Sequence, residues 1–307
     1  MSIKVCVIAP ASHVNLYSNL GDCEMVLSHL VVEDAGFNHT EHVRNNYVKY
    51  YKQKTAEGKW TILDNSAYEI GKLEATSASG RGLGPDIVLK AAEIINPSIV
   101  IAQDILTDRD ETYRATKDFI NYVKGKGLLG KFQIMAVAQG KTEDEWFDSY
   151  IELSLLPEVN QIGFSKIAVP LCFGGNQATA GCVSQARLRC TKKVDELNDN
   201  IRYMWSLDKI GLSRLKPVHL LGGDNWLPWE LNQQKQYPWI FSNDSSAVVW
   251  YGAHGKTYDP TDGKIDNIIT QKPDLENNHF ETETKLSSSE GVTCILYNIS
   301  VLHKFSK

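Results

Sequence analysis

Short apolar runs alternate with longer segments of helical spacing along most of this 307-residue chain. Runs of this length, rich in Val, Ile and Leu and closed by turn residues, are typical of buried strands. Seven strands are predicted in this way, at 3–9, 60–64, 98–104, 132–140, 161–167, 217–223 and 238–244. An eighth strand is only weakly placed; a short apolar piece lies at 25–32, and a final apolar element lies at 292–302.

Helical spacing fills the intervals between these strands, for example at 85–95, 110–126, 142–155 and 182–198. Alternating strands and helices predict parallel βαβ units. We therefore expect an α/β protein with a (β/α)8 TIM-type barrel and insertions. A doubly wound sheet is the alternative, but no Gly-x-Gly-x-x-Gly follows the first strand.

Two regions are predicted along the chain. Residues 1–254 form the barrel domain. Residues 255–307 form a polar arm or lid, followed by a final apolar element at 292–302 that packs on the barrel. The pattern does not decide whether this last element is a strand or a helix.

Composition narrows the functional classes. The chain is 42% hydrophobic and 22% charged with a net charge of −5, so any nucleic-acid binding needs a local basic face. The six cysteines are scattered without a Cys-x-x-Cys pair, which argues against a zinc site and against a disulfide scaffold. No apolar run approaches the ~18 residues of a membrane span. We expect no metal, no cofactor and no membrane, and a cytoplasmic location (the host cytoplasm if the protein is viral).

Polar residues stand at the ends of most of the predicted strands. In a (β/α)8 barrel the carboxyl ends of the strands meet on one face, where active sites lie. Three carboxylates and one side-chain amide on this face are more polar groups than a structural role requires. The residues predicted to form a functional site there are Asp64, Asp104, Gln139, Ser165, Lys166, Leu221, Gly222 and Asp244.

Two reactions fit these residue types, and a binding role is a third hypothesis. One carboxylate can attack a sugar anomeric carbon while another handles the proton. Alternatively, Lys166 can form a Schiff base with a carbonyl substrate, as in an aldolase or lyase. A non-catalytic nucleic-acid-binding barrel is also conceivable, although the presence of both Asp64 and Asp244 argues against it.

Six short motifs, in chain order, resemble those of the tRNA-guanine transglycosylases. Asp64-Asn-Ser-Ala-Tyr68 resembles the Asp-Ser-Gly-Gly-Tyr/Phe motif, and Phe241-Ser-Asn-Asp244-Ser resembles the strand of the nucleophile. Between them, 103–104 resembles the strand end that reads guanine, 137–140 resembles Val-Gln-Gly, 165–169 resembles Gly-Gly-Leu-Ala-Val, and 220–222 resembles Leu-Met-Gly. Members of this family exchange a guanine for a 7-deazaguanine on a (β/α)8 barrel.

The resemblance implies a role for each matched residue. Asp244 would attack C1′ of the target nucleotide and form a covalent glycosyl ester, and Asp64 would act as general acid and base. Asp104 and Gln139 would hydrogen-bond the purine edge. Tyr68 and Leu221 would sandwich the base, although each is equally compatible with core packing.

The sequence departs from the family pattern in three places. The Cys-x-Cys-x-x-Cys…His zinc subdomain is missing, since only Cys294 lies in that region. Asn65-Ser66-Ala67 replaces Ser-Gly-Gly, and Lys166 replaces a glycine beneath the base. These departures resemble the compact DNA-guanine transglycosylases, often encoded by phages or modification islands, which insert preQ0-like bases into DNA.

The expected partners are DNA and a free 7-deazaguanine base, with tRNA as the alternative nucleic acid. Duplex DNA would have to extrude its target nucleotide, and Trp226 or Trp229 could fill the gap. Phosphate contacts could come from the basic segment Arg187–Lys193 and from Arg81. A homodimer or a partner protein could supply further contacts to DNA.

Overall fold

Eight parallel strands form the centre of the computed structural model, which describes residues 2–33, 40–67, 83–175, 179–204, 216–265 and 285–307. Strand order around the sheet is β1-β8-β7-β6-β5-β4-β3-β2. The strands are β1 Lys4–Val7, β2 Glu24–Leu27, β3 Thr61–Asp64, β4 Ile99–Ile101, β5 Gln133–Ala138, β6 Val159–Ser165, β7 Val218–Leu221 and β8 Ile240–Ser245.

The sheet is nearly closed, because an isolated parallel bridge joins Cys6 of β1 to Cys23 next to β2. Helices lie between successive strands. The predicted (β/α)8 TIM-type barrel is therefore confirmed, and the doubly wound alternative is wrong.

Ten α-helices surround the strands in the described part of the chain. They are α1 Val14–Tyr17, α2 Glu41–Ala56, α3 Pro85–Ile95, α4 Arg109–Gly125, α5 Glu143–Leu155, α6 Ala168–Cys172, α7 Cys182–Met204, α8 Leu227–Gln234, α9 Ala247–Ala253 and α10 Ser289–Ser306. Their starts follow ordinary capping chemistry: Asp108 and Thr142 each accept a hydrogen bond from the third residue beyond them, and Pro85 opens α3.

The hydrophobic residues divide into two layers. An inner cluster fills the barrel and includes Met25, Ile62, Ile101, Met135 and Val137. A larger outer cluster lies between the strands and the helices. Because strand side chains alternate between the two layers, every second residue of a strand faces the barrel axis.

A disulfide joins Cys6 of β1 to Cys23, which directly precedes β2; the two cysteines lie 17 residues apart. Both cysteines are fully buried in the inner cluster. The sequence pattern argued against a disulfide scaffold and did not predict this bridge, which forms because barrel closure brings β1 beside β2.

The final apolar element is helix α10, which settles the choice between strand and helix. Its buried residues belong to the same outer core as the barrel. Asn298 fixes it in place, donating to Val248 O and Lys256 O and accepting from the backbone N–H of Tyr258. Most of the predicted polar arm, at 266–284, lies outside the described residues. Among the described helices, none combines the length and apolarity needed to cross a membrane.

Candidate active site

A cavity opens at the carboxyl ends of the barrel strands. Seven of the residues predicted for the site line it: Asp64, Asp104, Ser165, Lys166, Leu221, Gly222 and Asp244. Apolar side chains, including Ile8, Met25, Ile101 and Val137, complete its wall and floor. A pocket that combines apolar walls with several convergent polar groups is the usual form of a small-molecule site.

Asp244 lies near the end of β8 and is 5% exposed. Its Oδ1 lies 2.8 Å from His219 Nε2 and accepts a hydrogen bond from the backbone N–H of Gly222 at 3.0 Å. Its Oδ2 has no hydrogen-bond partner among the described residues. A carboxylate with one anchored oxygen and one oxygen left for a ligand can act as a nucleophile.

Asp104 is held between two side-chain amides. Asn65 Nδ2 donates to its Oδ1 at 2.9 Å, and Gln139 Nε2 donates to its Oδ2 at 2.6 Å. Gln139 Oε1 in turn accepts from the backbone N–H of Thr107 at 3.0 Å. Burial raises the pKa of the Asp104 carboxyl, and the two amide hydrogen bonds oppose this effect. Asp104 is therefore rigidly oriented toward the cavity.

Gln139 itself is fully buried and does not line the cavity. It was expected to hydrogen-bond the purine edge beside Asp104. In this structure its side chain lies behind Asp104, where it orients that carboxylate.

Asp64 ends β3, and its side chain is partly exposed to the cavity. The Ser28 hydroxyl donates to its carbonyl oxygen. Two residues later, Ser66 has a left-handed backbone with φ of 61°, and its hydroxyl lies 2.8 Å from His29 Nδ1. Both Ser66 and His29 are buried, so this contact fixes the loop that follows Asp64.

The tip of β7 forms the side of the cavity next to Asp244. Gly222 has φ of 69°, and a Cβ there would lie 2.5 Å from Cδ of Lys166. Leu221 folds over Gly163, where a Cβ would lie 2.8 Å from the leucine side chain. Both glycines are therefore needed for close packing around the site.

Ser165 and Lys166 follow at the end of β6. The Ser165 hydroxyl oxygen accepts from the backbone N–H groups of Ile167 and Ala168, and so fixes the turn into α6. Ser165 is 6% exposed, and Lys166 is partly buried. The lysine thus lies across the glycine of the β7 tip, at the edge of the cavity.

Arg187 was expected to face solvent and bind phosphate, and this prediction is wrong. The side chain is fully buried and donates to Leu221 O, Gly222 O and Glu230 Oε2 at 2.8–3.0 Å. Arg189, Lys192 and Lys193 are exposed on the same helix, although Lys193 pairs with Glu143.

The remaining predicted contacts fall into two groups. Tyr68 and Arg81 lie outside the described residues. Trp226 and Trp229 pack edge to face with ring centroids 5.6 Å apart, and Lys264 Nζ lies 4.5 Å from the Trp226 ring centroid. Both rings are partly exposed.

Three further residues of the site were not predicted from sequence. Asn65 holds Asp104, His219 holds Asp244, and Ser242 contacts His219. The period of two along a strand contains the signal for His219 and Ser242: each lies two residues before a predicted site residue and faces the barrel axis with it. Within the described part of the chain, no group of three or more His, Cys, Asp or Glu residues is placed to hold a metal ion.

Comparison with known proteins adds no relative: no protein-family model and no curated protein matches this chain. The functional interpretation therefore rests on the geometry of the site and on the resemblance of its motifs.

Proposed function

We propose that this protein is a base-exchange glycosyltransferase that replaces guanine in DNA with a 7-deazaguanine base. The observation that carries the proposal is the convergence of Asp64, Asp104 and Asp244 on one partly apolar cavity. Three carboxylates in distinct environments can supply a nucleophile, a proton carrier and a base-reading group.

Asp244 is the proposed nucleophile. Its free Oδ2 would bond to C1′ of the target nucleotide while the C1′–N9 bond of guanine breaks and its electron pair passes to the base. Asp64 would deliver the proton that the departing guanine needs. In the second half, N9 of the incoming base gives its proton back to Asp64 and attacks C1′, and Asp244 leaves as a carboxylate.

Asp104 is the proposed reader of the base edge. A carboxylate accepts hydrogen bonds only, which matches the ring N–H and the exocyclic amine of a guanine-like base. Asn65 and Gln139 hold it by its two oxygens, so the orientation needed for a two-point contact exists before the base binds. Leu221 and the apolar wall provide surfaces for the flat ring.

Backbone conformation gives independent support for the resemblance. Ser66 occupies the position of the first glycine in the Asp-Ser-Gly-Gly motif, and it has the left-handed φ that glycine accepts most readily. Gly222, which matches the glycine of Leu-Met-Gly, is also left-handed. Both positions that match a glycine of the family motifs therefore have the backbone conformation that glycine accepts most readily, although the side chain at one of them differs.

DNA is favoured over tRNA because the chain carries no Cys-x-Cys-x-x-Cys motif of the zinc subdomain found in the tRNA enzymes. A duplex would have to extrude the nucleotide to bring C1′ to Asp244. Since Arg187 is buried, phosphate contacts would fall to exposed cations such as Arg189 and Lys192 and to Lys166 at the cavity edge.

The test is incorporation of labelled 7-cyano-7-deazaguanine into duplex DNA and, separately, into bulk tRNA. We expect label in DNA with the wild-type protein and none with Asp244→Ala. Asp118→Ala, an exposed carboxylate on α4, is the matched control and should behave as wild type. Label in tRNA alone would keep the chemistry and overturn the choice of substrate. No label in either, with folded protein, would refute the proposal.

An aldolase or lyase remains the second candidate, because Lys166 lines the same cavity. Borohydride reduction in the presence of a carbonyl substrate would trap a Schiff base on this lysine. Trapping that is lost in Lys166→Met, together with absence of base exchange, would favour the lyase.

A further inference from the structure

Behind Asp244, a line of buried polar side chains crosses the barrel interior. His219 Nε2 lies 2.8 Å from Asp244 Oδ1, and His219 Nδ1 lies 2.7 Å from Ser242 Oγ. Gln161 Nε2 donates to the same Ser242 oxygen at 3.4 Å. His219 and Ser242 are fully buried, and Gln161 is 2% exposed.

The three hydrogen bonds of this line can all run the same way, from Gln161 through Ser242 and His219 to Asp244. The Gln161 amide nitrogen can only donate, so Ser242 Oγ accepts from it, and the serine proton can then point to His219 Nδ1. An ionised Asp244 can only accept, which calls for a proton on His219 Nε2. A neutral imidazole that accepts at Nδ1 carries its proton on Nε2 and donates it to Asp244. Each of the three contacts in the line then pairs one donor with one acceptor, as burial favours.

We propose that His219, oriented by Ser242 and Gln161, is a positioning residue that fixes Asp244 for attack through Oδ2. This inference rests on the proposed base exchange. His219 and the Gly222 N–H together hold Oδ1, so the carboxylate cannot rotate and presents Oδ2 to the cavity. His219 does not line the cavity, so it would act on the substrate only through Asp244.

The same two hydrogen bonds matter most when Asp244 leaves. During attack, Oδ2 bonds to C1′, the C1′–N9 bond breaks, and Asp64 protonates the departing base. The ester carbonyl oxygen is then Oδ1. When the incoming base displaces the ester, negative charge returns to the carboxylate, and hydrogen bonds to a charged acceptor are stronger than those to a neutral one. Loss of the His219 donor should therefore slow release of the glycosyl-enzyme, whereas slower formation would follow from lost positioning of Oδ2.

Two variants separate positioning from core packing. His219→Leu fills the space without a donor, whereas the Gln side chain in His219→Gln can place an N–H near the position of Nε2. We expect kcat to fall about 100-fold in the Leu variant, since small misplacement of a reacting group has an effect of this size. The KM for the free base should stay unchanged, because Asp104 and the apolar wall bind it. The Gln variant should recover part of kcat.

A third measurement detects the covalent intermediate. Single-turnover reactions with a guanine-containing oligonucleotide and no incoming base are run on denaturing gels. On addition of base, the oligonucleotide adduct of the Leu variant should decay more slowly than that of the wild type. A Leu variant with wild-type kcat would overturn the proposal. So would equal losses in the Leu and Gln variants accompanied by a raised KM for the base, which would indicate a packing role.

Histidine tautomers provide a readout that does not depend on activity. In protein labelled with ¹⁵N-histidine, long-range ¹H–¹⁵N spectra distinguish a protonated Nε2 from a protonated Nδ1, and His219→Gln assigns the signal. We expect the proton on Nε2. A proton on Nδ1 would overturn the hydrogen-bond direction. If the wild type exchanges no base, the proposed function fails, and the tautomer still decides the arrangement around Asp244.

Discussion

We predict that Glu24→Gln stabilises the protein at alkaline pH and has little effect at acid pH. Glu24 begins β2 and is 1% exposed, with its side chain between the strand and α2. Tyr50 donates a hydrogen bond to its Oε1 at 3.2 Å, while Oε2 has no hydrogen-bond partner among the described residues. A buried carboxylate with one oxygen unsatisfied is costly once it ionises.

The magnitude follows from the carboxyl pKa. Burial raises the pKa of Glu24 from 4.5 to about 7, although Lys59 and the Tyr50 hydrogen bond oppose this. In the unfolded chain the group ionises near 4.5, whereas in the folded protein it stays protonated until about pH 7. The contribution of this group to the free energy of unfolding is therefore largest below pH 4.5, falls between pH 4.5 and pH 7, and is constant above pH 7. At ~1.36 kcal/mol per pKa unit, the loss is about 3 kcal/mol.

The assay is thermal and urea unfolding of both proteins at pH 5 and pH 8.5. Because glutamine cannot ionise, the variant should gain up to about 3 kcal/mol over wild type at pH 8.5 and much less at pH 5. Glu93→Gln makes the same chemical change at an exposed position of α3 and should show no such pH dependence. An equal gain at both pH values, or a wild-type stability that is flat from pH 5 to 8.5, would refute the reasoning.

Three further predictions concern the site. Gly222→Ala should lower the free energy of unfolding by about 1–2 kcal/mol, because φ is 69° and the added Cβ would lie 2.5 Å from Lys166 Cδ. An unchanged melting temperature would contradict this prediction. Ser66→Gly relieves the left-handed backbone but loses the hydroxyl contact with His29, so its free energy of unfolding should stay within about 1 kcal/mol of wild type. Ser66→Val loses the same contact and keeps the strained φ of 61°, so it should be less stable by about 1–3 kcal/mol, again measured by melting temperature. Asp104→Asn should raise the KM for the free base. Because burial raises the pKa of Asp104 and only its ionised form accepts from both donors, wild-type base affinity should fall on acidification at higher pH than for an ordinary aspartate, as calorimetric titrations would show.

The barrel was predictable because most of its strands are continuous apolar runs with clear boundaries. β2 was the exception, since it begins with the carboxylate of Glu24. A carboxylate at the start of a strand interrupts the apolar pattern, and the sequence does not show that this one is buried beside α2, where Tyr50 donates to it. The disulfide between Cys6 and Cys23 was missed for a related reason, since it depends on contacts that form only when the barrel closes.

The carboxylates at the strand ends of the candidate site were predictable from the sequence, and the buried side chains that hold them were not. Asp64, Asp104 and Asp244 stand at visible boundaries between apolar and polar sequence, and the parallel topology brings them together. Asn65 and His219 contact their carboxylates across separations of 39 and 25 residues. Such contacts depend on strand register, which the sequence pattern alone does not give.

Arg187 shows how a charge can be assigned to the wrong surface. Val183, Ala186, Cys190 and Val194 of α7 are apolar, and the spacing of three, four and seven residues places Arg187 on the same side of the helix as three of them. The arginine therefore faces the barrel, where Glu230 compensates its charge and its remaining donors bind the carbonyls of the β7 tip. Since the backbone of that tip also donates to Asp244, a residue first assigned to phosphate binding supports the proposed nucleophile from behind.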